Sequence, residues 1–276
     1  MRSARLFASG SIALLLAIGV GSANAGTYQD TNSDGSINTG SASFFTVLAK
    51  GDAGFTDNTI TGPSSVIGNY GVGGQGTLSI TGTSYIQGNL VMHRGGHPNL
   101  SGSARITGTT SNNDTQLNNA LADAQSLSDA AAMEAVTPAY ASLTNVNIGD
   151  PSQNITITGG PDQKVVLSLQ NFTISNGTFT LQGTATTTFI INVAKNFSLN
   201  NGSVTLTGGV MPQNVLFNIL GQGDQVSLNQ GTHLPGTLLA LNRIVDLSGG
   251  HVTGKVIADQ VVITSGGSVV SPSTNP

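Results

Sequence analysis

The chain reads as an all-β solenoid carrying one long helix, and three observations predict it. Residues 60–69 (ITGPSSVIGN), 80–89 (ITGTSYIQGN) and 100–109 (LSGSARITGT) are versions of one ten-residue segment set 20 positions apart. Residues 171–183 (NFTISNGTFTLQG) return at a shift of 25 as 196–208 (NFSLNNGSVTLTG). The composition holds 37 glycines, no cysteine and no tryptophan, with 8% charged residues, where about 25% is ordinary for a globular domain. A short fixed period of β-branched residues and glycines marks coils that stack, because one coil cannot bury its apolar side alone. A chain this rich in Gly, Ser and Thr could also stay disordered, but 38% hydrophobic residues in strict alternation can bury a core.

Residues 1–25 have the pattern of an export signal. Arg2 and Arg5 give a positive start, residues 12–20 an apolar run, and Ala23-Asn24-Ala25 a small-x-small cleavage site. Cleavage there takes the net charge from −4 to −6. The apolar run is too short to span a bilayer, so a secreted, extracellular or periplasmic protein without membrane insertion is expected. A mildly acidic chain with no basic run is not a nucleic-acid binder. Without cysteine, the fold has to hold by packing and strand ladders.

Residues 26–41 form a polar segment. Asp30, Asn32, Asp34 and Asn38 match the first nine positions of a calcium loop, D-x-N-x-D-G-x-I-N, with Gly35 at the sharp turn. Position 12 is Ser41 in place of the bidentate glutamate, and no helical pattern flanks it. The expectation is weak calcium binding or a plain polar tail, and no other cofactor.

A single domain over 42–270 follows. In its first half Ile60, Ile80 and Leu100 share one register, as do Val66, Ile86 and Ile106; Gly62, Gly82, Gly102 and Gly68, Gly88, Gly108 fall at the corners. Such corners need positive φ or close backbone approach. The β pattern breaks at about 114–133, where Leu117, Leu121, Ala124, Leu127 and Ala131 recur at helical spacing. Asn113 with Gln116 resembles a capping box, and Pro138 closes the run. This Ala-rich stripe suits close packing on one face of the solenoid; a membrane-surface helix would carry Lys or Arg, and this one has none. In the second half the coils continue through 225–231 (QVSLNQG), 244–250 (IVDLSGG) and 261–267 (VVITSGG), and 271–276 form a polar tail.

Two repeat blocks separated by an Ala-rich helix, with 44–55 (FFTVLAKGDAGF), 65–73 (SVIGNYGVG), 215–221 (VLFNILG), 235–263 and 265–270 (SGGSVV), resemble the bacterial and fungal ice-binding-like β-solenoids over about residues 42–270. The chain also resembles a related branch of exported bacterial surface proteins. The resemblance implies a right-handed discontinuous β-solenoid (β-helix) of roughly triangular section, with an α-helix packed along one face. Members bind ice, adhere to surfaces, or have no assigned role.

The repeats also predict a surface. Alternation points Thr59, Ser79 and Asn99 outward as one column and Thr61, Thr81 and Ser101 as another, with similar pairs at Thr156/Thr158, Thr178/Thr180 and Thr205/Thr207. Residues i and i+2 lie about 6.6–7 Å apart and coils stack at about 4.7–4.9 Å, so a flat grid of hydroxyls and methyls results. Such a grid suits ice, or a cell-surface or matrix polysaccharide. Threonine also alternates outward on any half-buried strand because of its β propensity. No catalytic constellation competes: the carboxylates Asp150, Asp162, Asp224, Asp246 and Asp259 are isolated. The pair in His93-Arg94-Gly95-Gly96-His97 sits on glycines that hold no helix, so it reads as a corner. The expected function is non-catalytic adhesion of a secreted solenoid to an ordered polysaccharide, with ice binding as the alternative.

Overall fold

The computed structural model describes residues 29–52 and 57–272; the segment read as an export signal lies outside them. Among the described residues twenty-one strands join one parallel ladder system, and the chain turns through three faces per coil. Face A stacks, in spatial order, residues 164–169, 188–193, 215–219, 237–240, 255–258, 47–49, 70–72, 90–92 and 110–112. Face B stacks 145–148, 171–174, 196–200, 226–229, 244–248, 260–264, 57–60, 77–80 and 98–100. Face C stacks 155–158, 177–182, 202–207, 233–235, 251–253, 268–270, 65–67, 85–87 and 105–106.

Spatial order is therefore not sequence order. The chain enters mid-solenoid at Val47, coils to one end at Asn112, and returns along the helix to the other end. It then coils back until Ser268–Val270 pairs with Ser65–Ile67. Both sequence repeats are the ladder itself: Ile60, Ile80 and Leu100 are register partners, and so are Asn171/Asn196, Phe172/Phe197 and Phe179/Val204. Between the faces runs one apolar core, in which the repeated Phe172 and Phe197 rings stack with centroids 5.0 Å apart. Leu100 departs from the expected inward burial, at 43% exposed, because its coil is terminal on that side.

The repeat glycines meet both demands expected of them. Gly62, Gly82 and Gly102 have φ of +76°, +71° and +72°. Gly88 and Gly108 have no positive φ, but a Cβ would lie 2.3 Å from the Gly68 carbonyl oxygen and 2.5 Å from that of Gly88.

Helix α1, Asp114–Met133, starts where Asn113 Oδ1 accepts the Gln116 N–H at 3.1 Å. Leu117, Ala120, Ala124, Leu127 and Ala131 are buried. They pack on outward apolar residues of face A, among them Leu48, Val91, Val166, Ile190, Leu216, Leu239 and Ile257. Two buried asparagines complete this contact. Asn192 Nδ2 donates to the Ala131 carbonyl at 2.7 Å, and Asn218 Nδ2 to that of Ser128 at 3.0 Å. The Ala131 carbonyl also accepts the Glu134 N–H at 3.4 Å, and a carbonyl oxygen has a second lone pair for the asparagine amide.

From Asp30 onward the polar segment packs on the same body, and the domain begins earlier than residue 42. Ile37, its one isoleucine, is buried with Ala42 and Phe45 against the helix cluster. Ser41 N–H donates to Asp123 Oδ2 at 2.6 Å and Ile37 N–H to the Gln213 carbonyl at 2.7 Å. Helix and strap together cover face A. Among the described residues no helix is long and apolar enough to cross a membrane.

Candidate functional site: two open faces of unlike chemistry

With face A covered, faces B and C remain. The predicted surface residues divide between them. Thr59, Ser79 and Asn99 are register partners on face B. Thr61, Thr81 and Ser101 follow just past those strands, and the ladder still holds them: Thr81 N–H donates to the Ile60 carbonyl at 2.9 Å and Ser101 N–H to that of Ile80 at 3.0 Å. Thr156, Thr180 and Thr205 form one column of face C, Thr178 pairs with Ser203 in a second, and Thr158, Gln182 and Thr207 form a third. Alternation separates inside from outside but does not say which of three outsides a residue joins, so one expected grid became two.

Face B is longer than the repeats of the first half suggested. The column of Thr59 continues through Val262, Asp246, Ser227, Ser198, Thr173 and Asn147, nine residues on nine strands. Beside it Ser248 and Thr264 hydroxyls meet at 3.0 Å. At the far end Asn196 Nδ2 donates to Asn171 Oδ1 at 3.0 Å, and Asn171 Nδ2 to Asn145 Oδ1 at 2.8 Å. This amide ladder was detectable in the 25-residue repeat, which aligns Asn171 with Asn196. The face carries the carboxylates Asp57 and Asp246, and Asp57 accepts the Thr77 hydroxyl. Its side chains are mostly small, and among the described residues no aromatic ring interrupts them.

Face C is basic, aromatic and broken. Its column Ser203, His233, His251, Ser268, Ser65, Tyr85, Arg105 contains no carboxylate. The Arg105 guanidinium lies 4.7 Å from the Tyr85 ring centroid. His233 Nε2 and Thr253 Oγ1 are 3.0 Å apart, and His251 Nδ1 and Ser268 Oγ 2.8 Å. Burial first, then the neighbouring His251, hold His233 below the usual imidazole range. Past Thr205 the threonine column meets Pro235 and a groove walled by Val210 and Pro212, which ends its flatness.

The calcium-loop residues each have other partners. Asp30 is buried and its carboxylate takes the Lys164 ammonium at 2.8 Å, which also reaches Glu134 at 2.7 Å. Asp34 Oδ1 accepts the backbone N–H of Ser36 at 3.0 Å and its hydroxyl at 2.6 Å, which holds the carboxyl below its ordinary range. Asn32 Nδ2 donates to Ser36 Oγ at 2.9 Å, and Asn38 Nδ2 to the Gln29 carbonyl at 2.9 Å. The His93–His97 segment is a turn, closed by Gly96 N–H on the His93 carbonyl at 3.0 Å. Among the described residues no three His, Asp or Glu side chains gather as a metal cluster.

Residues 9–270 match the family described as "Putative Ice-binding-like adhesive domain". Solved structures share the fold. One is an ice-binding protein from an Antarctic biological consortium, at TM-score 0.59 and 20% identity over 88% of this chain and 93% of that one. Another is a glycosylated ice-binding protein from an Arctic yeast, at TM-score 0.54 and 21% identity over 87% and 96%. A third, from the Antarctic ascomycete Antarctomyces psychrotrophicus, gives TM-score 0.50 and 20% identity over 84% and 97%. No curated protein matches the chain.

Proposed function

As the chain belongs to the family of ice-binding-like adhesive domains, we propose that it is a secreted, non-catalytic protein that adheres through face B to an extended, ordered surface. One observation carries this reading: face B is the open face whose nine strands stay in register without an interrupting loop. A ligand that repeats in space gains from each matching site, whereas one that does not repeat gains from few. The expected partner is a cell-surface or matrix polysaccharide. The Asn145–Asn171–Asn196 ladder and the carboxylates of Asp57 and Asp246 support it, since amides and carboxylates hydrogen-bond sugar hydroxyls well.

Ice is the second reading. The proteins of like fold are named for ice binding, and Thr59, Thr61, Ser79 and Thr81 offer hydroxyls and methyls at the spacing a crystal plane can use. The reading uses no calcium, since the Lys164 ammonium already sits on Asp30. Co-sedimentation of the mature chain with insoluble cellulose and chitin, run beside an ice-recrystallisation assay, separates the two. Retention on a polysaccharide without effect on ice supports the first; the converse supports the second; neither activity defeats both.

A further inference from the structure

His233 and His251 stand side by side on face C, in register on neighbouring strands. Register partners on adjacent strands bring their Cβ atoms to about 5 Å, within the span of one metal ion held by two imidazoles. Each ring is already steered by a hydroxyl. Thr253 Oγ1 lies 3.0 Å from His233 Nε2, and Ser268 Oγ lies 2.8 Å from His251 Nδ1. A hydroxyl that accepts from one ring nitrogen leaves a lone pair on the other, here Nδ1 of His233 and Nε2 of His251. This is the orienting arrangement that metal-binding histidines use.

The surroundings favour the same ligand. Both rings are half-buried. His233 lines a groove of about 340 Å³ with Thr205, Val210, Pro212, Pro235 and Thr253. Among the described residues, the register partners and groove residues beside the pair are Ser203, Thr205, Thr253, Ser268 and apolar groups, with no carboxylate among them. Burial, then the neighbouring His251, favour the uncharged form of His233, which is the form that ligates.

We propose that His233 and His251 form a two-imidazole binding site for a divalent first-row transition metal ion of the copper, nickel and zinc class. Imidazole suits these ions, and Cu²⁺ binds such donors most tightly. Two protein ligands leave the remaining positions to water, or to donor groups of whatever lies in the groove. The site is separate from face B and does not depend on the adhesive reading.

The test is calorimetric titration of the mature chain with CuCl₂ at pH 7 in a non-coordinating buffer, with electron paramagnetic resonance on the loaded sample. The expected result is one Cu²⁺ per chain, with nitrogen hyperfine structure from two imidazoles. His233→Gln and His251→Gln should each weaken binding about tenfold or more at an unchanged melting temperature of the apo protein. Thr253→Ala should weaken it less, through lost orientation, and affinity should fall as the pH drops through the imidazole range. His93→Gln/His97→Gln should leave it unchanged. No binding, binding that survives both face C substitutions, or binding lost with His93 and His97 would overturn the proposal. Circular dichroism of each variant shows whether a loss reflects the site or the fold.

Discussion

Asn58 Oδ1 accepts the backbone N–H of Val261 at 2.8 Å, joining residues 203 positions apart. The same fully buried side chain donates from Nδ2 to the Thr77 carbonyl at 3.0 Å. It spans the seam where the first coil of the N-terminal block sits on the last coil of the C-terminal block. No strand ladder supplies these two bonds, so one amide does. Asn58→Leu is expected to lower stability by about 1–3 kcal/mol, the cost of leaving a buried N–H and C=O unpaired. Chemical denaturation checks this; an unchanged midpoint would mean the seam does not need the amide.

Helix docking makes a graded prediction. Leu127 is fully buried on face A, whereas Leu121 is only partly buried. Leu127→Ala should cost about 2–5 kcal/mol and Leu121→Ala clearly less. Equal effects, or none, would show that the helix is not held by this stripe.

Tyr70 is buried in the core, and among the described residues its hydroxyl has no hydrogen-bond partner. Burial drives its ionisation far above the ordinary tyrosine range. Tyr70→Phe removes an uncompensated polar group and keeps the ring, so stability should rise by about 1 kcal/mol. A fall in melting temperature would point to a partner for the hydroxyl.

Lys255 donates to the Ser43 and Phe45 carbonyls at 2.7 and 2.8 Å and ties the turn that follows the strap to face A. Burial pushes its amine down to about 8, from 10.5. Between those pH values the folded chain has released a proton that the unfolded chain retains. Stability should therefore rise with pH across that window on account of this group. Denaturation midpoints at pH 8 and 10, in the wild type and in Lys255→Met, test it. The variant should be less stable at pH 8 and show a smaller gain; identical pH dependence would remove Lys255 as the cause.

Much of this architecture was legible in the residues. The 20- and 25-residue repeats are the ladder registers, and the helix begins and ends as its cap and stripe indicate. Three features were hidden, each for a physical reason. Asn192 and Asn218 look like outward polar positions on a strand, and nothing in alternation reveals that a helix lies over them and accepts their amides. The strap at 30–41 shows one apolar residue, Ile37, in a polar run, too little pattern to announce packing. The third is the partition of Thr59 and Thr180 onto different faces. It depends on corners whose lengths vary from coil to coil, so equal alternation leads to unequal positions around the triangle.

Paired bulky substitutions on the two open faces decide whether face B is the adhesive one. Ser79 sits in the long column of face B and Thr180 in the threonine column of face C. Both are outward and partly exposed, so Ser79→Tyr and Thr180→Tyr should each leave the melting temperature nearly unchanged. The measurement is retention of each variant on insoluble polysaccharide and its ice-recrystallisation activity, relative to wild type. Whichever activity the wild type shows should fall sharply in Ser79→Tyr and persist in Thr180→Tyr. Normal activity in Ser79→Tyr together with loss in Thr180→Tyr would contradict the assignment and move the binding surface to face C.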